Sequence, residues 1–376
     1  MRIGLDVRDI SLGARTLVYW QTRSLVELER DSGGCFEYTL YSSSARKSTA
    51  PLFASLTGPV TLSVHRIPNR VLHYSWLRAG WPPIETFTGK LALFHGMAQI
   101  LPPQRSGKRV LTIYDVIPLK FPAWSRSSWL TTESLRRSAR AADHITTISE
   151  CSRRGICETL GVDEQKVTVI YPGVPPPCLR LVTDEWLGAV RRRYELDRPY
   201  ILHVGELQPR KNLRRLFQAI GRLGGGIQDD LELVLVGPHG HGYEMARKDL
   251  DEVGPAMRVR FLGVVPDDDL RGLYQGARAF VSVSLHEGFG LPVLEAMACG
   301  APVVVSDAGA LPEVVEQAGL LVDPEDVESI AHGLERVVTD RSLADRLSAL
   351  GKARSRLFTW DNAAKRVRSL YQELLG

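Results

Sequence analysis

SLHEGFGLPVLEAMACGAPVVVSDAG, residues 284–309, is the stretch that decides the fold. An apolar, strand-like run over 279–285 leads into it. A helical run over 292–299 leads out, and a second apolar run follows over 302–305. Strand, loop, helix and strand in that order read as a parallel α/β unit, and open sheets of this kind take ligands outside the carboxyl ends of their strands. Glu287 and Glu295 therefore bracket a strand-to-helix corner, with Gly288, Phe289, Gly290, Leu291 and Pro292 between them.

That corner favours an anion. Pro292 suits the start of a helix, where its missing N–H has no intrahelical partner. The free amides of the first turn and the helix dipole add partial positive charge. Gly288 and Gly290 allow close backbone approach and φ > 0. Carboxylates accept paired hydrogen bonds from neighbouring hydroxyls, as a sugar presents them. Either glutamate alone reads equally well as a dipole partner or a solvated loop residue. Together they suit a ligand with hydroxyls at both ends and phosphate in the middle, as in a nucleotide sugar.

The chain of 376 residues is long enough for two domains. It shows no run of eighteen apolar residues, so no membrane span is expected, and the start MRIGLDVRDI is a strand pattern and not a signal peptide. Five scattered cysteines without metal or redox spacing point to reduced thiols in the cytoplasm. Charge is uneven: residues 1–180 carry 23 Lys/Arg against 14 Asp/Glu, and residues 181–376 carry 24 against 29. The basic first part suits an anionic partner, such as a phospholipid surface or a lipid diphosphate, and equally a solvated basic face. No nucleic-acid motif accompanies it, so nucleic acid is not an expected partner.

Strand-like runs at 2–7, 38–41, 61–67, 91–95, 110–114, 144–148 and 167–170 alternate with helical runs such as 16–30 and 129–142. This alternation predicts a doubly wound parallel sheet. His95-Gly96 ends one strand and reads either as an imidazole facing a cleft or as a structural histidine. Ser149 and Ser152 read as helix caps. Arg136, Arg137, Arg140, Arg153 and Arg154 make a basic helical surface. The prolines of 172–177 stiffen a joint, and a boundary falls at 179–198. A second sheet follows, with strands at 200–204, 233–236, 259–262, 279–285 and 303–306. Its first strand runs through Gly205 into Gln208-Pro209-Arg210-Lys211-Asn212 and then a helix. Two cations there suit a diphosphate, since Arg engages phosphate through two parallel hydrogen bonds and Lys acts as a point charge. Tyr274 reads as core packing. The final run, 358–375, reads as an amphipathic helix capped by Thr359 or Asp361.

Glu287 and Glu295, seven residues apart in the sense E-x7-E, with Pro209-Arg210-Lys211-Asn212, resemble the signature of retaining glycosyltransferases of family 4. The resemblance covers most of the chain. It implies the GT-B fold, two facing Rossmann-like α/β domains with an interdomain cleft. The domains would be residues 1–180, with helix 358–376 packing back onto them, and residues 198–357. It implies hexosyl transfer from a nucleoside diphosphate sugar without cofactor or metal. Arg210 and Lys211 would hold the diphosphate, Glu287 the transferred sugar and Glu295 the ribose. Gly205, Val264, Gly288, Phe289, Gly290 and Leu291 would line the donor. Gly13 and Arg15 resemble the family's glycine-rich loop, although Ala14 stands at its usual second glycine. Asp115 would orient the acceptor hydroxyl, and His95 is a candidate catalytic residue where its imidazole faces the cleft, while Tyr114 replaces a histidine common in relatives that lies close to the transferred sugar. Glu206 replaces an arginine common after the glycine.

The expected function is mannosyl transfer from GDP-mannose to a glycan or lipid-linked acceptor in polysaccharide assembly. The expected place is the cytoplasm, with peripheral contact at the inner face of the membrane through the basic first domain. UDP-glucose or another hexose donor is the alternative of the same class, and a non-catalytic glycan- or membrane-binding protein the alternative of another. A dehydrogenase is disfavoured because no Gly-x-Gly-x-x-Gly follows an early strand.

Overall fold

A computed structural model describes residues 1–8, 17–44, 50–53, 55–124, 129–180, 182–224, 226–239, 242–254 and 257–376. The chain forms two units, one of residues 1–173 with 358–376 and one of residues 174–357.

In the first unit β1 (Arg2–Asp6), β2 (Glu37–Ser43), β3 (Val60–His65), β4 (Leu93–Gly96), β5 (Lys108–Thr112), β6 (His144–Thr147) and β7 (Val167–Val169) pair in the order β3-β2-β1-β4-β5-β6-β7. All pairs are parallel. The connections include α1 (Leu17–Ser32), α2 (Asn69–Ala79), α3 (Trp129–Ala141) and α4 (Glu150–Leu160). Parallel strands need cover on both faces, and Ile3, Leu5, Leu93, Phe94, Val110 and Leu111 of the central ones are fully buried. Ile3, Leu5 and Leu93 pack with Leu25 and Val26 of α1. Phe94 and Leu111 pack with Leu72 and Trp76 of α2, Leu135 of α3 and Ile156 of α4. Ser149 caps α4, its hydroxyl accepting from the Ser152 amide at 2.9 Å.

The second unit begins earlier than the prolines suggest. α5 (Asp184–Arg193), capped by Thr183, buries Val190 in this unit's core together with Leu196. Residues 174–197 are thus part of a folded domain and not a free joint. Strands β8 (Tyr200–Val204), β9 (Glu232–Val236), β10 (Arg258–Gly263), β11 (Ala279–Ser282), β12 (Val303–Ser306) and β13 (Gly319–Val322) pair in the order β10-β9-β8-β11-β12-β13, all parallel. α6 (Leu213–Ile220), α7 (Asp267–Gly276) and α8 (Leu291–Cys299) lie among the connections. The strand order reverses between β8 and β11, so the crevice beyond their carboxyl ends is a topological switch point. β13 is absent from the strands expected above. It is four residues long, starts with glycine and lies half-exposed at the sheet edge, so it has no periodicity to detect.

α9 (Trp360–Leu375) belongs to the first unit. The Thr359 hydroxyl accepts from the Asn362 amide at 3.1 Å, which settles the cap. Ala363, Ala364, Val367, Leu370 and Tyr371 form its buried stripe at helical spacing. Among the described residues no helix is long and apolar enough to cross a membrane.

Candidate functional site

The two strands at the switch point each feed one wall of the site. Gly205 follows the last residue of β8, and a single tight turn, Pro209–Lys211, comes next. Asn212 closes that turn with φ +61° and starts α6. Its side-chain amide donates to the carbonyls of Val283 at 3.1 Å and Pro324 at 2.7 Å, which ties the turn to the segment after β11. The Leu285 amide donates to the Arg210 carbonyl at 2.8 Å, a second tie. Arg210 and Lys211 are therefore held against the loop that carries Glu287.

Glu287 is buried and gathers both cations. Lys211 Nζ donates to Oε1 at 2.6 Å and Arg210 Nη1 to Oε2 at 2.6 Å. The Ser284 hydroxyl donates to Oε1 at 2.7 Å. Burial on its own would raise the Glu287 carboxyl, but the charges of Lys211 and Arg210 and the bonds from Lys211 and Ser284 outweigh it and bring it down to about 2. Burial lowers the Lys211 ammonium, and Glu287 opposes that shift. Arg210 is oriented further by Gln208 Oε1 at 3.0 Å and the His286 carbonyl at 3.2 Å. Beneath them His203 is fully buried, with Nδ1 3.0 Å from the Val281 carbonyl. Burial first, then the Lys211 charge, lowers that imidazole to about 4, so it stays neutral.

Two glycines set the corner. Gly290, at φ +99°, turns the chain into α8, with Leu291 and Pro292 opening the helix. Gly309, at φ +63°, lies so close to Glu287 that a Cβ there would sit 2.5 Å from the Glu287 nitrogen. The Ala310 amide donates to the Glu287 carbonyl at 3.0 Å. Gly288 and Phe289 are buried in the same loop.

Glu295 keeps different company. Its Oε2 accepts from the Tyr274 hydroxyl at 2.9 Å, and burial raises its carboxyl to about 7 against that bond. Tyr274 is a core residue, as expected, and also the partner of a site carboxylate. Val264 is 75% exposed in the turn after β10.

In the first unit, Asp115 is half-buried after β5, and its Oδ1 accepts from the Ile117 amide at 3.0 Å. Gly13 and Arg15 lie outside the described residues. The expectation of a His95 imidazole facing a ligand is corrected. His95 is fully buried, with Nδ1 2.6 Å from the Tyr371 hydroxyl and Nε2 2.7 Å from the Thr112 hydroxyl. Nδ1 joins the sheet to α9 and Nε2 joins β4 to β5, and burial lowers the ring to about 3. Sequence reasoning missed Ser284, Asn212 as a tether, Gly309 and His203. Ser284 and Gly309 stand at the two ends of the stretch that decided the fold, but nothing in their spacing marks them as partners of Glu287.

Residues 190–354 match the family Glycosyl transferases group 1, and residues 51–176 match Glycosyltransferase Family 4. The O-antigen chain mannosyltransferase B of Escherichia coli is 33% identical over 294 residues, 75% of this chain and 74% of that one. The chain belongs to the GT-B glycosyltransferases. This glycosyltransferase is also 30% identical over 267 residues to the serotype-specific mannosyltransferase WbdA of Escherichia coli, a match that spans 68% of this chain and 32% of that protein. Among solved structures, Anabaena Alr3699/HepE in complex with UDP-glucose is similar in fold, with a TM-score of 0.74 at 18% identity over 100% of both chains. Among the described residues no group of three His, Cys, Asp or Glu side chains is gathered as metal ligands.

Proposed function

We propose that this glycosyltransferase moves mannose from GDP-mannose to a hydroxyl of a glycan or lipid-linked acceptor, with retention of anomeric configuration. The observation that carries the reading is the meeting of Arg210 and Lys211 on the Glu287 carboxylate, each at 2.6 Å, beside the opening of α8. In the reaction the bond from the anomeric carbon to the diphosphate breaks and negative charge builds on the leaving oxygen. Arg210, Lys211 and the first amides of α8 meet that charge, so neutralisation is assigned to the protein and not to a metal. The new bond from the acceptor oxygen forms on the same face of the sugar. The acceptor proton passes to the departing phosphate oxygen, and Asp115 orients the hydroxyl that gives it. Glu287 takes hydroxyls of the transferred sugar and Glu295 those of the ribose. His95 has no part, because both its nitrogens are engaged in the core.

Mannose is favoured by the kinship with mannosyltransferases at 33% and 30% identity. A lipid-linked acceptor puts the enzyme at the cytoplasmic face of a membrane, which suits the excess of Lys/Arg over residues 1–180. A thermal-shift screen with a panel of nucleotide sugars tests the donor. At a hundredfold excess over Kd the right donor adds about 3 kcal/mol of stability. Selective stabilisation by GDP-mannose is expected. Selective stabilisation by UDP-glucose would overturn the mannose assignment, and no response to any nucleotide sugar would overturn the reading as a whole.

A further inference from the structure

One face of the first unit combines basic and exposed aromatic side chains. No Asp or Glu occurs between Glu37 and Glu85, a run that holds Arg46, Lys47, Arg66, Arg70 and Arg78. Helix α2 lies in that run, with Leu72 and Trp76 in the core. At 100° per residue, Arg70, Val71, Tyr74 and Arg78 fall within about 100° of arc on the opposite side of the helix. All four are exposed, Val71 at 59% and Tyr74 at 57%. Arg78 lies over the Tyr74 ring at 5.9 Å.

Trp81, 64% exposed, follows the left-handed turn at Gly80 that ends α2. Its backbone is pinned to the helix. The Ser75 hydroxyl donates to the Trp81 carbonyl, and the Trp76 indole donates to the Pro82 carbonyl at 3.0 Å. The neighbouring α3 extends the basic character. Arg137 donates to the Leu77 carbonyl at 2.7 Å, which sets α3 against the last turn of α2, and Arg140 on α3 is exposed. The acid here, Glu133, is paired with Arg137 at 3.0 Å.

A tryptophan and a tyrosine held out into water, flanked by arginines in an acid-free run, match one environment in charge and polarity. The headgroup layer of a membrane offers phosphates to arginine and an apolar boundary to amphipathic rings. We propose that α2 and Trp81 dock this enzyme on an anionic phospholipid bilayer. Val71, Tyr74 and Trp81 enter the interface while Arg70 and Arg78 meet lipid phosphates. The inference deepens the reading of an acceptor at the membrane, yet it stands on this face alone.

The test is cosedimentation of the full chain with vesicles of phosphatidylcholine, or of phosphatidylcholine with about one third phosphatidylglycerol. Binding to the anionic vesicles, weakened by salt, is expected. An arginine near such a surface contributes about fivefold in partition, so the Arg70→Ala/Arg78→Ala variant should bind about thirtyfold more weakly. Tyr74→Ser/Trp81→Ser should bind about tenfold more weakly at an unchanged melting temperature. Should that pair melt early, Val71→Ser/Tyr74→Ser, confined to the outer arc of α2, replaces it. A parent chain that pellets with neither vesicle, or variants that pellet as the parent does, would overturn the proposal. The donor-induced thermal shift, measured on the same samples, reads the sugar chemistry separately. Failure on vesicles with an intact shift sinks this inference alone, and binding to vesicles without any shift sinks the sugar reading alone.

Discussion

Replacing Lys211 with methionine separates what the ammonium does for folding from what it does for transfer. Lys211 and Glu287 are 7% and 9% exposed and meet at 2.6 Å, so neither charge is screened by water. Removing one partner of a buried pair leaves an uncompensated charge and costs about 3–5 kcal/mol. Glu287 would keep Arg210 at 2.6 Å and Ser284 at 2.7 Å, which puts the loss at the low end, about 3 kcal/mol. Loss of a donor aimed at developing charge costs a further ~3–4 kcal/mol of barrier, a hundredfold or more in turnover. The sign with pH also follows. Glu287 is held down to about 2 from its ordinary 4.5, so its stabilising effect is full above 4.5 and fades as pH falls towards 2. With one cation gone the carboxyl rises, and acid unfolding of Lys211→Met should begin at higher pH. Denaturant melts give the stability and initial rates of sugar transfer give the turnover. The double variant Lys211→Met/Glu287→Gln also takes the carboxylate from Arg210, so it should regain neither stability nor turnover. Parent-level transfer by Lys211→Met, or turnover restored in the double variant along with stability, would refute the reasoning.

Three further outcomes are expected. Glu295 is raised by burial to about 7, so the stability tied to its bound proton is full below 4.5 and lost as pH rises through about 7. Glu295→Gln should therefore match the parent in melting temperature at low pH and exceed it above neutrality, while donor affinity, which in the parent should rise through the same range, becomes flat; a parent affinity that does not change with pH would remove Glu295 from the ribose. His95→Phe leaves the Tyr371 hydroxyl without its buried partner, at about 1–3 kcal/mol, while the Thr112 hydroxyl keeps Thr146 at 2.8 Å. Denaturant unfolding should show that loss with donor affinity intact, and an unchanged midpoint would argue against the buried bridge. Gly309→Ala pushes a Cβ to 2.5 Å from the Glu287 nitrogen at φ +63°, so both stability and transfer should fall, and a variant that keeps its activity would show that the Glu287 loop tolerates displacement.

Most of the architecture was legible because parallel strands covered on both faces are rich in apolar residues. The runs at 2–7, 110–114, 200–204 and 303–306 needed no finer pattern than that. β13 escaped because an edge strand of four residues buries too little to bias its composition. The corner carrying Glu287 was legible because glycines, a proline and acids at a strand-to-helix junction have few other uses. His95 was not legible. A histidine at the end of a strand looks the same whether its ring meets a ligand or, as here, a tyrosine 276 positions away on the last helix. Tyr274 escaped for the same reason, since burial of its ring and donation from its hydroxyl to Glu295 are separate facts about one residue.

In the proposed reaction the grip on phosphate and the grip on sugar share the same side chains. An ionised carboxylate offers about four acceptor sites, and Lys211, Arg210 and Ser284 engage three on Glu287. Under the proposed chemistry, a pair of sugar hydroxyls can be held fully only if a cation gives ground. An arriving diphosphate supplies the reason for it to do so, because it competes with Glu287 for the same two cations. Sugar and diphosphate would then be recognised together and not in turn. Asn212 limits how far the cations can travel, since its amide ties their turn to Val283 and Pro324. The movement required is a side-chain swing over a fixed backbone, which suits a site that must be ready before its donor arrives.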